Sequence, residues 1–163
     1  MPLFTMKKEV KPLLNINQDK LLSKEENAVK TQYNENFAYC NAINDLFYYI
    51  AVRKDKVRMI NRSYPTKSND INTLILYAIK QSLIALDLLC HEKEVIIYSR
   101  YSLEEIIEFS KIDNTGNMKR YQSLRILEQF TNFKKVIFKK EKCPYPNILD
   151  LANKMEMLKN DKD

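Results

Sequence analysis

The sequence predicts a mostly helical domain with a minimal two-stranded β-sheet. Three observations carry that expectation. Apolar residues recur at three- and four-residue spacing from Phe37 to Ala51. The stretch 71–90 is apolar on nearly every face. Only two short segments, 94–98 and 133–140, are rich enough in β-branched and aromatic residues to read as strands. With 163 residues, 45% hydrophobic and 29% charged, the chain is long enough for one domain with a real core.

Residues 1–34 are polar and weakly patterned, which predicts an arm with one short helix near Gln18–Thr31. Residues 35–163 then form a single helical domain. Its first helix starts near Asn36, with Phe37, Cys40, Ile43, Asn44, Phe47, Ile50 and Ala51 as its stripe, and can run on toward Ile60. Pro65 stops whatever precedes it. Ser68, Asn69 and Asp70 offer N-cap side chains to the apolar helix 71–90, which is expected to be the core. Glu94–Tyr98 reads as a strand. Ser102 and Glu105 match a capping box that opens a helix to about Lys111. A polar turn at 113–117 leads to a helix from Met118 to about Phe130, then to a strand over 133–140 expected to pair with 94–98. Pro144 and Pro146 break the chain before a last amphipathic helix, 147–160, capped by Asn147 and striped by Ile148, Leu151, Ala152, Met155 and Leu158.

Composition narrows the chemistry. Gly116 is the single glycine and His91 the single histidine. Glycine-rich phosphate loops and nucleophile elbows need several residues without a Cβ, and multi-histidine metal centres need more imidazoles. Cys40, Cys90 and Cys143 are too widely spaced for a Cys-x-x-Cys metal site and point to a reducing, cytoplasmic setting. Cys90 and His91 are neighbours about 100° apart on a helix, a poor nucleophile–base pair. Glu104 and Glu108 read as complements to a helix dipole. The expectation is therefore no enzyme, no cofactor, no metal and no membrane segment. Richness in Asn, Ile, Lys and Tyr suggests an AT-rich genome, viral or mobile-element in character.

The segment SLEEIIEFSKIDNTGNMKRYQSLRILEQFTNFKKVIFKK, residues 102–140, resembles winged helix-turn-helix DNA-binding domains in its order of helix, turn, recognition helix and basic strand. The likeness places a winged-helix-like core at 71–142. From Lys111 to Lys142 there are nine Lys and Arg against three acidic residues, a surplus equal to the whole chain's formal charge of +6. The resemblance implies a regulator, or a replication or partition accessory, that binds double-stranded DNA. Lys119, Arg120, Gln122, Ser123 and Arg125 would face base edges, and Lys134, Lys135, Lys139, Lys140 and Lys142 would meet phosphates. A second basic patch comprises Arg53, Lys54, Lys56, Arg58 and Arg62.

Two other readings stand beside this one. The aromatics of 36–49 and the C-terminal helix suit a helical module that binds a host protein, or a homodimer formed through that helix. RNA is a third ligand, with Tyr64 stacking on a base. The stretch 75–109 is also similar to HEPN-type helical domains but lacks the Arg and His pair that makes such domains RNases.

Overall fold

The computed structural model describes residues 33–54, 58–63, 70–113 and 116–162. The expected arm helix at 18–31 and Lys56 lie outside these residues. The chain is not a helical bundle. It builds a five-stranded mixed sheet with helices on both faces, so the mostly helical, winged-helix-like expectation is corrected.

The first helix expected from the sequence is a β-hairpin. Strands β1 (Phe37–Ile43) and β2 (Leu46–Val52) pair antiparallel in a register that sets Ile43 opposite Leu46, leaving Asn44 and Asp45 as a two-residue turn. Asn44 takes φ 56° there, a left-handed conformation that asparagine tolerates better than most residues. The helical spacing misled because β2 is buried along its whole length. A strand covered on both faces loses the polar–apolar alternation that marks half-buried strands.

Strand β3 (Arg58–Ser63) pairs with β2 and forms one edge of the sheet. Helix α1 (Ile71–Cys90) follows, with Asp70 as its N-cap: one carboxylate oxygen accepts from the Thr73 amide at 2.8 Å. Strand β4 (Glu94–Tyr98) returns parallel to β1. Helices α2 (Leu103–Ser110) and α3 (Met118–Glu128) then cross over to β5 (Lys135–Lys139), parallel to β4 at the far edge. The pair 94–98 with 135–139 thus forms, but as one side of a larger sheet. Strand order is β3-β2-β1-β4-β5. The Ser102–Glu105 capping box closes in both directions, at 2.9 and 3.2 Å.

Alternate residues of β1, β2 and β4 feed two cores. Ala38 and Cys40 of β1, Phe47 and Tyr49 of β2, and Val95 and Ile97 of β4 pack with α1, α2 and α3. The opposite face, with Phe37, Tyr48, Ile50, Val52 and Tyr98, receives helix α4 (Pro146–Lys162) through Ile148, Leu151, Ala152 and Met155. Proline at the first helical position suits α4, since its missing N–H would have no intrahelical partner. Asn147, expected as the cap, instead donates from Nδ2 to the Tyr33 hydroxyl at 2.5 Å. Ile148, Leu151, Ala152 and Met155 of the expected stripe pack on the chain's own sheet. Helix α1 is long and apolar enough to cross a membrane by length and composition, but most of it is buried between the sheet and α3.

Candidate functional site

Strands β1, β4 and β5 point the same way, and the chain leaves β4 and β5 at their carboxyl ends for helices on opposite faces of the sheet. Such divergence opens a crevice, the usual ligand position in sheets of this kind. An open cleft of about 540 Å³ lies there. Strand β1 contributes Tyr39, Cys40 and Asn41, the segment after β4 contributes Ser99 and Arg100, and the segment after β5 contributes Lys140, Glu141 and Lys142. Leu149 of α4 completes the lining.

Each polar residue of the cleft can be followed to its partners. The Tyr39 hydroxyl accepts from Asn41 Nδ2 at 3.2 Å and is hydrogen-bonded to Tyr48 behind it. Tyr48, fully buried, donates to Glu156 Oε2 of α4 at 2.5 Å. Asn41 Oδ1 accepts from the Ala42 amide at 2.8 Å, which fixes the orientation of the carboxamide. Burial raises the Tyr39 and Tyr48 phenols above their ordinary range, so both stay protonated. The Cys40 thiol is pushed up to about 12 by burial and donates to Ser82 Oγ at 3.2 Å, which makes it a packed donor rather than a nucleophile. Ser99 Oγ is engaged with the Tyr101 backbone on both sides.

The cations differ in how they are held. Lys140 Nζ lies 2.9 Å from Glu105 Oε1, the same carboxylate oxygen that accepts from the Ser102 amide in the capping box. Those contacts, the cap amide first, hold the Glu105 carboxyl below the usual carboxylate range. Arg100 and Lys142 are exposed at the cleft and have no ion pair among the described residues. Among the described residues no three His, Cys, Asp or Glu side chains are gathered to hold a metal ion.

No family model matches the chain, and no curated protein matches it in sequence. Among solved structures it is similar to RNase H1 from the halophilic archaeon Halobacterium salinarum NRC-1, at 14% identity and a TM-score of 0.45, over 64% of this chain and 83% of that one. It is also similar to the N-terminal RNase H domain of a Mycobacterium tuberculosis protein, solved as a fusion with maltose-binding protein. There the identity is 9% and the TM-score 0.44, over 66% of this chain and 88% of that one. The likeness is one of α/β architecture.

Three expectations do not survive the structure. The exclusion of an enzyme rested on missing glycine loops and histidine clusters. A crevice at strand ends asks for neither feature, so that exclusion is withdrawn. The DNA-binding regulator falls with its recognition helix. Gln122 and Ser123, assigned to base edges, are 1% and 0% exposed, sunk within α3 where it packs against α1. Arg125 is paired with Glu128 at 2.9 Å and lies over the Tyr121 ring. Lys119 reaches toward Asp70 at 3.9 Å, and Arg120 is half-exposed. The helical protein-binding alternative falls too, because the aromatics of 36–49 lie on strands rather than a helix, and Phe37, Phe47, Tyr48 and Tyr49 are buried.

The expected phosphate contacts are split rather than gathered. Lys134 and Lys135 sit at the amino end of β5, where the Lys134 amide donates to the Lys93 carbonyl. Lys139, Lys140 and Lys142 lie at its carboxyl end, and of these Lys140 and Lys142 line the cleft. In the second basic patch, Arg53 and Lys54 follow β2, while Arg58 and Arg62 lie on the edge strand β3. Of the patch residues whose side chains are described, Arg53 and Lys54, neither lines the cleft. The sequence reading missed Arg100, Tyr39, Asn41 and Leu149. The available signal was the short β-branched strand at 94–98 running straight into Ser99-Arg100, since residues just past a buried parallel strand stand at the crevice.

Proposed function

We propose that the cleft binds nucleic acid through its phosphate backbone. One observation carries this reading: Arg100, Lys140 and Lys142, from two segments about forty residues apart, converge at the carboxyl ends of β4 and β5. Against them the lining holds one carboxylate, Glu141. Cations converging on a crevice favour a polyanion, and lysine and arginine supply the two common forms of phosphate contact. RNase H, the printed name of both similar structures, is that of nucleic-acid-processing proteins, which agrees with this partner class. Three free and buried thiols suit a reducing compartment such as the cytoplasm.

Fluorescence anisotropy with labelled oligonucleotides at two salt concentrations tests the proposal. Binding should weaken as salt rises, and Arg100→Ala/Lys142→Ala should cost about tenfold or more in affinity. Lys134→Ala/Lys135→Ala, at the other end of β5, should leave the cleft's affinity close to that of the wild type. Absence of binding at low salt, or undiminished binding by the Arg100/Lys142 variant, would overturn the assignment.

A further inference from the structure

Resting on the preceding proposal, we infer that the cleft takes a single strand, one nucleotide at a time, in preference to a duplex. The phosphate meets Arg100 and Lys142, and the sugar and base lie against Tyr39 and Leu149. The lining is divided in just this way. Arg100 and Lys142, which have no ion pair among the described residues, stand on the segments that follow β4 and β5, while Tyr39 and Leu149 supply an aromatic and an aliphatic wall. Lys140 is already engaged by Glu105 at 2.9 Å.

A duplex asks for something else. It carries phosphates along two strands separated by grooves roughly 6 and 12 Å wide, and its base faces are hidden in the stack. An aromatic wall is of no use to a stacked base. A single strand offers both groups together, a phosphate and an uncovered base face, and aromatic side chains beside cations are how such strands are held. The volume of about 540 Å³ falls in the range of roughly 300–1,000 Å³ for clefts that hold small ligands.

Tyr39 is also held in place before any ligand arrives. Its hydroxyl is bonded to Asn41 and Tyr48, and Tyr48 in turn to Glu156 of α4, so the ring's orientation is fixed from behind. A wall already ordered loses little entropy when a base settles on it.

The experiment compares a labelled oligonucleotide of about 10 nucleotides, as RNA and as DNA, with the same sequence in duplex form. The single strand should bind at least about tenfold more tightly, and adenosine monophosphate should compete with it. Tyr39→Leu should weaken single-strand binding about fivefold or more while leaving the salt slope unchanged, because a neutral contact releases no counterion. Arg100→Ala and Lys142→Ala should each lower that slope by about 0.7. Tyr39→Phe, which keeps the ring, should retain binding, and thermal unfolding of each variant reports whether the fold is intact. Equal affinity for duplex and single strand, with both lost in the Arg100/Lys142 variant, sinks this inference and leaves the phosphate-binding cleft standing. A folded Tyr39→Leu protein that binds normally also sinks it. If no nucleic acid binds, both readings fall together.

Discussion

Asn44 occupies the left-handed region at φ 56° because the two-residue link between β1 and β2 requires it, and side chains other than glycine, asparagine and aspartate are strained there. Asn44→Ala should therefore destabilise the protein by about 1–2 kcal/mol, and Asn44→Gly should cost far less, as read by urea unfolding. Two carboxylates make the matching electrostatic case. Asp70 is held below its ordinary range chiefly by the Thr73 amide, and Glu105 chiefly by the Ser102 amide with Lys140 beyond it. A depressed carboxyl contributes stability above its unfolded-state pKa and loses it as pH falls through the folded-state value. Unfolding midpoints should accordingly drop as pH falls below about 4, and Asp70→Asn with Glu105→Gln should flatten that dependence. Both groups are substantially exposed, which keeps the effect small. These caps were legible in the sequence, since Asp70, Ser102 and Glu105 act on backbone amides within three residues. Arg100 was not, because nothing local says that β4 and β5 pair in parallel, which is what brings their carboxyl ends together.

Helix α4 shows what an amphipathic pattern specifies at the level of an element. The stripe Ile148, Leu151, Ala152 and Met155 is legible from its spacing, and the structure buries it completely or nearly so. The pattern states that the face must be covered without saying by what, and here the cover is the sheet. Leu151→Ala should cost about 2–5 kcal/mol by leaving a cavity against that sheet, measurable as a lowered denaturant midpoint. If α4 instead served mainly to join two copies, the loss would depend on protein concentration. Strand β2 is the converse case. Leu46–Val52 has a buried side chain at every position because α1 covers one face and α4 the other. Seven consecutive apolar residues satisfy a helix template and a strand template equally, and the arbiter was the Asn44-Asp45 turn, a hairpin signal that the three- and four-residue spacing obscured.

At the scale of the whole molecule, the three parallel strands give the protein one end at which a cleft opens. Their carboxyl termini, the start of α2 and the segment leading into α4 meet there, and the cleft collects side chains from positions 39 to 149. The sequence by itself determined the local features: helices 71–90, 103–110 and 118–128, their caps, the strands at 94–98 and 135–139, and a cationic stretch near the C-terminal end. Each depends on residues within a turn or two of one another, so spacing and side-chain type suffice. Only the tertiary structure decided that 37–43, 46–52 and 58–63 are strands, that Gln122 and Ser123 face inward, and that Lys134 and Lys142 part company while Arg100 and Lys142 meet. Those outcomes follow from which faces are covered by distant elements. Burial on both sides erases the periodicity from which a local reading would have been made.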